Sequence, residues 1–176
     1  KEKIFDNIWI QPAAGDAGGA LGVALCIWHQ VLGNERKTNG KDSMKGSYLG
    51  PSYKKSDIKD YLDSQKIPYQ HFNETDLSKT VADDLKAGKV IGWFQGAMEF
   101  GPRSLGGRSI LGDPRNPKMQ SIMNLKIKYR ESFRPFAPSV LAEKVTEWFE
   151  MDSESPYMLM VSGVREDKRI SMTEEQ

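Results

Sequence analysis

The sequence is poor in the residues that build metal centres and covalent cross-links. It contains one cysteine, Cys26, and two histidines, His29 and His71, among 176 residues. A disulfide framework or a zinc site built from several Cys and His side chains within the chain is therefore excluded. Cys26 lies in the apolar run 24–28, where we expect a buried core thiol. We assign neither histidine a catalytic role, because His29 falls within a predicted apolar helix and His71 within a predicted strand.

The chain also lacks a charge excess of either sign and a long, uninterrupted apolar run. Its formal net charge is +1 at pH 7, which argues against a protein that coats nucleic acid but leaves room for a local anion site. The longest apolar stretch, residues 17–32, is interrupted by glycines and contains His29 and Gln30. That pattern predicts a buried helix and not a membrane span. Residues 1–10 are too short an apolar segment for a signal peptide, so we expect a cytoplasmic protein without a membrane partner.

What the sequence does have is positive charge concentrated in one segment, residues 99–139. Between Arg103 and Arg134, eight basic residues face only Asp113 and Glu131, so this stretch carries +6 while the whole chain carries +1. Charge concentrated in this way predicts a bound ligand that carries phosphate. The eight residues are Arg103, Arg108, Arg115, Lys118, Lys126, Lys128, Arg130 and Arg134.

The first half of this segment combines glycines with arginines directly after a predicted strand. Glycines permit positive φ and close approach of the backbone to a ligand, and exposed backbone N–H groups in such loops bind anions. Arg103 and Arg108 offer planar forks that suit phosphate or carboxylate, and Ser109 adds a hydroxyl donor. We therefore predict an anion-binding loop; the alternative is a surface loop with two solvated arginines. The loop is neither a Walker A sequence nor a dinucleotide-binding fingerprint.

The second half, residues 126–139, is stiffened by two prolines and two phenylalanines. We expect it to be partly buried and to hold Arg134 in a conformation ready for binding. A buried arginine requires an anionic partner. That partner is Glu131, Glu99 or a ligand phosphate, and we favour the phosphate.

A third candidate is the glycine-rich stretch that precedes the first predicted helix, residues 15–19. Glycines before a helix N-terminus can bind phosphate through their backbone N–H groups. Asp16 in the same stretch can instead cap the helix. From the residues alone we favour the cap.

Strand and helix patterns alternate along the chain and predict an α/β domain. The predicted strands are residues 8–10, 67–72, 89–94, 108–112, 138–141 and 157–164. The predicted helices are residues 20–31, one that begins after a cap at Ser56, one that begins at a cap at Asp76, and residues 119–127 and 143–149. Residues 33–55 are polar, contain several glycines and are mostly without periodicity, which predicts a linker or a long loop.

Four motifs run through the chain. They are GAMEFGPRSLGGRSIL at residues 96–111, KYRESFRPFAPS at 128–139, QPAAGDAGGALG at 11–22 and YLGP at 48–51. Together they resemble the O-carbamoyltransferase family, which contains nodulation protein U and antibiotic-tailoring carbamoyltransferases. The resemblance covers most of the chain.

This resemblance implies an enzyme with two domains. Its N-terminal domain is ASKHA-type (Kae1-like), and its C-terminal domain is YrdC-like, an α/β twisted mixed sheet with flanking helices. On this basis residues 1–32 are the strand-helix tail of the ASKHA-type domain and 33–47 the linker. Residues 48–176 are the YrdC-like domain, incomplete at its C-terminus, and we expect the chain to be a fragment of a longer protein.

The resemblance also implies the chemistry. The YrdC-like domain would join carbamoyl phosphate and ATP into carbamoyl adenylate, and the other domain would pass the carbamoyl group to a hydroxyl of an acceptor. Carried over by motif, Arg103, Lys128 and Arg134 are the implied catalytic residues and Asp16 is an implied ligand of a divalent metal, Mg or Fe, in the complete enzyme. The implied substrate-binding residues are Arg108, Ser109, Arg130 and Ser139.

The chain departs from the family pattern because the metal-binding histidines and two downstream motifs of the adenylate site do not occur in it. We therefore expect it to be inactive, or nearly so, in carbamoyl transfer when alone. The expected partners are small-molecule phosphates and a hydroxyl-bearing acceptor, and a homodimer is one assembly to consider. Two alternatives stay open: a non-catalytic interaction fragment and an RNA-binding module. Phe133 and Phe136 stand among prolines, where we expect them to be packed and not free to stack on bases.

Overall fold

Five α-helices and one two-stranded sheet are present in the computed structural model, which describes residues 4–6 and 8–171. In chain order they are α1 (Asp16–Cys26), α2 (Lys55–Ser64), α3 (Glu74–Lys86), β1 (Ile91–Phe94), β2 (Arg108–Leu111), α4 (Met119–Ile122) and α5 (Val145–Trp148). Turns of π-helix continue α1 over Ile27–Val31 and α4 over Met123–Lys128. Short 3-10 turns occupy Lys45–Ser47, Ala142–Lys144 and Glu166–Lys168. The predicted mixture of helix and strand is confirmed.

The two strands form an antiparallel hairpin that carries the first basic motif in its loop. Ile91 pairs with Leu111 and Phe94 pairs with Arg108. Beyond this last pair, the N–H of Gln95 donates to the carbonyl of Gly107 at 2.9 Å. The hairpin therefore fixes both ends of the loop 95–107.

Four predicted strands are wrong for the described residues. Residues 8–10, 67–72, 138–141 and 157–164 have no ladder partner, apart from one isolated antiparallel bridge between Phe149 and Val164. A strand is stable only when a neighbour takes up its backbone hydrogen bonds. The described sheet thus has two strands, and the larger YrdC-like mixed sheet and the ASKHA-type tail stay predictions.

Two buried methionines join the hairpin to the helix that follows it. Met119 and Met123, on α4 and its π-helical continuation, are 4% and 5% exposed. They pack on Gly112 at the end of β2, where a β-carbon would lie 2.6 Å from the sulfur of Met123 and 2.8 Å from Cγ of Met119. This contact places the second basic segment, which begins on the π-helical turn, on the same support as the first.

The end of the predicted linker and the residues after it are fastened to the hairpin loop. The N–H of Gly50 donates to the carbonyl of Met98, and the N–H of Met98 donates to the carbonyl of Pro51, both at 2.9 Å. The N–H of Phe100 donates to the carbonyl of Ser47 at 2.6 Å. These bonds hold the start of the basic segment against residues 47–51.

Tyr157, although distant in sequence, contacts the residues just before this stretch. Its hydroxyl donates to the carboxylate of Asp42 and accepts the N–H of Gly46, the latter at 3.0 Å. Burial and the bond to Asp42 raise the pKa of the Tyr157 phenol. Residues 42–47 are therefore tied down in this structure, while the domain boundaries at residues 33 and 48 stay predictions.

Helix α1 begins earlier than predicted, at Asp16, and none of its side chains is buried. Cys26 is exposed and its thiol donates to the side chain of Gln30 at 3.3 Å. The expectation of a buried thiol is wrong here, because no other described segment covers this helix. Among the described residues, none of the helices has the length and apolar character to span a membrane.

We expect Met123→Ala to lower the free energy of unfolding by about 2 to 5 kcal/mol, because it leaves a cavity between helix and hairpin. Urea unfolding followed by circular dichroism measures the change. Met160→Ala is the control, since Met160 is 47% exposed. Equal losses in the two variants would contradict the packing role of Met123.

Candidate anion-binding site

One carboxylate, that of Glu99, organises the loop between β1 and β2. Its Oε1 atom accepts the backbone N–H groups of Leu105 and Gly107 at 2.8 Å, and that of Arg108 at 3.1 Å. The sequence predicts that N–H groups of this loop face a bound anion. For these three groups the prediction is wrong, because the anion that they bind is the chain's own Glu99.

The backbone donors keep the Glu99 carboxylate charged. Burial by itself raises the pKa of this group, but the hydrogen bonds from the N–H groups of Arg108, Leu105 and Gly107 outweigh burial, and the net pKa is lowered. Hydrogen bonds to the charged form of a carboxyl group favour ionisation in this way. Glu99 is therefore an anion that compensates backbone dipoles.

Arg108 and Ser109 also hold the loop. The Arg108 guanidinium lies 3.4 Å from the centre of the Phe94 ring. Its Nη1 atom donates to the carbonyls of Gln95 at 3.0 Å and Gly107 at 2.8 Å. The hydroxyl of Ser109 accepts the N–H of Gly106 at 3.0 Å. Arg108 and Ser109, two of the four predicted substrate-binding residues, thus contact the loop itself in this structure.

Two glycines of the loop are required by geometry. A β-carbon on Gly107 would lie 2.6 Å from the carbonyl oxygen of Ala97. Gly101 has φ +102°, and a β-carbon there would lie 2.4 Å from Cβ of Ala13. The turn that precedes α1 therefore packs directly on the start of the basic loop.

Arg103 and Lys128, two of the three predicted catalytic cations, are exposed. Within residues 4–6 and 8–171, neither side chain makes a hydrogen bond or an ion pair. Lys128 ends the π-helical turn, and the next residue, Tyr129, reverses the chain with φ +50°. These two cations are free to bind a ligand.

Arg134, the third predicted catalytic residue, is paired with Glu131. Its Nε atom lies 2.9 Å from Oε2 of Glu131, and the two side chains are 53% and 54% exposed. The expectation of a buried arginine is wrong, because residues 131–135 lie on the surface. The sequence analysis considered Glu131, Glu99 and a ligand phosphate as partners of Arg134, and in this structure the partner is Glu131.

Asn124 organises the second basic segment and is fully buried. Its Oδ1 atom accepts Nε of Arg130 at 2.7 Å. Its Nδ2 atom donates to the carbonyls of Ser132 at 2.9 Å and Arg134 at 2.8 Å. Sequence reasoning missed this residue; the signal was an amide placed beside the apolar helical stripe that includes Met123.

Arg130 is shielded by two neighbours. Besides its bond to Asn124, its guanidinium lies 4.9 Å from the centre of the Phe136 ring. Ser139 is exposed and makes no side-chain hydrogen bond to the part of the chain that the structure describes. No hydrogen bond between described residues joins this segment to the loop of Glu99, so the two are linked through Gly112 and its methionines.

Asp16 is the first residue of α1 and not its cap. Gly15 is the N-cap residue and no side chain caps it. The cap prediction is wrong, although a carboxylate in the first helical turn still favours the helix dipole. The described residues contain no group of three or more His, Cys, Asp or Glu side chains able to hold a metal. Asp16 as a ligand of a divalent metal therefore stays a prediction for the complete enzyme.

Both organised segments fall within a region shared with known proteins. A family model described as Carbamoyltransferase C-terminus matches residues 82–175, which is more than half of the chain. The chain belongs to the O-carbamoyltransferase family. The resemblance of its motifs to that family is thereby confirmed.

Individual relatives extend the match toward the N-terminus. An uncharacterized protein of Synechocystis is 61% identical, over 100% of this chain and 29% of its own length. Nodulation protein NolO of Bradyrhizobium diazoefficiens is 40% identical, over 94% of this chain and 30% of its own length. The 3'-hydroxymethylcephem-O-carbamoyltransferase of Streptomyces clavuligerus is 29% identical, over 94% of this chain and 29% of its own length. The chain spans less than a third of the length of these relatives.

The lowered pKa of Glu99 predicts that this chain is destabilised by acid. A group whose pKa is lower in the folded state adds stability above its unfolded pKa, and this stability is lost as the pH falls through the folded value. We expect the difference in unfolding free energy between wild type and Glu99→Gln to shrink as the pH falls from about 6 to about 3.

Urea unfolding at several pH values measures this difference. Because both proteins contain the other carboxylates with lowered pKa values, the contribution of these groups cancels in the difference. Asp113 is one of them, since the hydrogen bond from the Arg115 side chain lowers its pKa to about 2. A difference that stays constant with pH would contradict the assignment of the shift to Glu99.

We expect Asn124→Asp to destabilise the chain by about 3 kcal/mol or more, because it removes two buried donors and turns an anion toward two carbonyl oxygens. Asn116→Asp is the matched control. Toward the residues that the structure describes, the Asn116 side chain acts only as an acceptor, from the N–H of Lys118 at 3.0 Å, so its change should stay within about 0.5 kcal/mol. Urea unfolding gives both values, and similar losses in the two variants would argue against the role of Asn124.

Proposed function

We propose that this region binds carbamoyl phosphate and ATP and forms carbamoyl adenylate for transfer to a hydroxyl of an acceptor. Membership of the O-carbamoyltransferase family supports carbamoyl transfer. The observation that carries the finer proposal is the pair of exposed cations, Arg103 and Lys128, on segments that are otherwise fixed by internal hydrogen bonds. Cations carried on a fixed backbone in this way suit a reaction between phosphate species.

The proposed reaction brings several negative charges together. A carbamate oxygen attacks the α-phosphorus of ATP, and the bond to the β-phosphate breaks, so pyrophosphate leaves. Starting from carbamoyl phosphate, the balance requires one water and also releases phosphate. Cations lower the repulsion between the reactants and stabilise the charge that develops on the leaving group.

The proposed roles differ among the basic residues. Arg103 and Lys128 contact the phosphates. Arg134 joins them by exchanging Glu131 for a ligand phosphate, since a half-exposed ion pair is worth at most about 1 kcal/mol. Arg108 and Arg130 shape the two segments, and Ser109 and Ser139 supply hydroxyl groups near them.

The acceptor and the metal belong to the proposal for the complete enzyme. The name of the Streptomyces clavuligerus relative gives a hydroxymethyl group as its acceptor, which supports a hydroxyl acceptor here. Asp16 would supply one ligand to a divalent metal, Mg or Fe. A bound divalent metal would neutralise phosphate charge. A homodimer and a cytoplasmic location stay predictions.

A second candidate function is binding of single-stranded RNA. Phe133 is 76% exposed and Tyr129 is 85% exposed, which overturns the expectation that Phe133 is packed. Exposed aromatic rings beside Lys128 and Arg130 are typical of surfaces on which bases stack. This candidate predicts an affinity for RNA that falls steeply with salt.

We expect Arg103→Ala and Lys128→Ala each to weaken binding of carbamoyl phosphate or ATP about tenfold or more, which is about 1.4 kcal/mol. Isothermal titration calorimetry of the chain measures the affinities. Lys79→Ala is the control, because Lys79 is an exposed lysine of α3 outside the basic segment.

Unchanged affinity in both arginine and lysine variants would refute the site assignment. Exchange of pyrophosphate into ATP that depends on carbamoyl phosphate tests the reaction itself. It is run on this chain and on a longer protein that contains it. Tight, salt-sensitive binding of RNA, with no binding of either small phosphate, would favour the second candidate.

A further inference from the structure

Both the N–H groups and the carbonyl groups of the loop between β1 and β2 are bonded to side chains. Glu99 takes three of its N–H groups. On the carbonyl side, Arg108 binds the oxygens of Gln95 and Gly107, and the Tyr48 hydroxyl donates to the oxygen of Leu105. These bonds hold the loop backbone at residues 95, 105, 107 and 108.

Arg103 lies inside a short ring that Glu99 closes. The bond from the N–H of Leu105 to the Glu99 carboxylate spans six residues, and Arg103 lies within that span. At the start of the same span, Gly101 packs on Ala13. The backbone that carries Arg103 is thus held on both sides.

Glu99 holds this ring without neutralising the cation. In the described part of the chain no ion pair joins Glu99 to a lysine or arginine, and its bonds go to backbone donors. Hydrogen bonds to a charged acceptor are about twice as strong as those between neutral groups. The Arg103 guanidinium is therefore exposed and not paired with Glu99 in the part of the chain that the structure describes.

We propose that Glu99 is a positioning residue, whose carboxylate fixes the loop 101–108 so that Arg103 faces the phosphate ligand. The proposal rests on the proposed function, since the ligand is the one named there. It assigns Glu99 no contact with substrate. Removal of the carboxylate should therefore lower the affinity for the ligand indirectly, because the loop becomes less ordered.

Three variants and one control separate the contributions. Glu99→Gln keeps the shape and an acceptor oxygen but removes the charge, and Glu99→Asp keeps the charge but shortens the reach by one methylene. Glu99→Ala removes both. Glu147→Ala is the control, because Glu147 is an exposed carboxylate that, among the described residues, pairs only with Lys144.

Two measurements are made on each protein after circular dichroism has established that it folds. Amide hydrogen exchange reports how well the N–H groups of Leu105, Gly107 and Arg108 are protected. Calorimetry reports the affinity for carbamoyl phosphate and for ATP. Acetate is then added to Glu99→Ala, because it can occupy the space and the donors that the lost side chain leaves.

We expect exchange of the three amides to rise about tenfold or more in Glu99→Ala and less in Glu99→Gln and Glu99→Asp, since only Glu99→Ala removes the acceptor altogether. Affinity should fall in the same order, and acetate should restore part of both properties. Glu147→Ala should match the wild type. If Glu99→Ala does not fold, Glu99→Gln provides the test of the proposal, because it preserves the shape of the side chain.

Two results would overturn the proposal. One is loss of affinity with unchanged protection of the three amides, which would make Glu99 a direct ligand contact. The other is loss of protection with wild-type affinity, which would make the loop irrelevant to binding. A wild-type chain that binds neither ligand overturns the proposed function instead. Exchange at the three amides then still decides whether Glu99 holds the loop.

Discussion

The three hydrogen bonds from backbone N–H groups to the Glu99 carboxylate are the interaction on which the candidate site depends. They set the path of the hairpin loop and, through Leu105 and Gly107, the position of the Arg108 guanidinium over Phe94. A loop of glycines and arginines would otherwise sample many conformations, since glycine loses more entropy on ordering than any other residue. A single ionised side chain therefore converts a flexible cationic loop into a defined surface.

In both basic segments a buried or half-buried polar side chain binds backbone groups, while Arg103 in the first segment and Lys128 in the second stay exposed. Asn124 does for residues 130–134 what Glu99 does for the hairpin loop. Met119 and Met123 then join the two segments through Gly112. Surface ion pairs such as Arg134–Glu131 contribute little to this support. The order of the site comes from hydrogen bonds to backbone, and its charge is available for function.

Local features were predictable from the sequence and long-range pairings were not. The strands Ile91–Phe94 and Arg108–Leu111 and the helix at Glu74–Lys86 carry their own periodicity, so they were found close to their observed limits. Apolar stretches such as residues 157–164 have the same appearance but lack a partner, which a single sequence does not reveal. The motifs located the basic segments. They did not show that Arg108 turns inward while Arg103 stays free, because that depends on where the Glu99 carboxylate lies.

The span of the contacts in sequence bears on the order in which this structure forms. The bonds to Glu99 join residues six to nine positions apart, whereas Tyr48 reaches across 57 positions to Leu105 and Tyr157 across 111 to Gly46. The entropy lost on closing a chain loop grows with its length, so contacts between distant residues form more slowly. We therefore expect the bonds to Glu99 to form before Tyr48 and Tyr157 dock. The contacts of the loop with Ser47 and Ala13 also join distant residues, so the final geometry around Arg103 is completed only when these segments arrive.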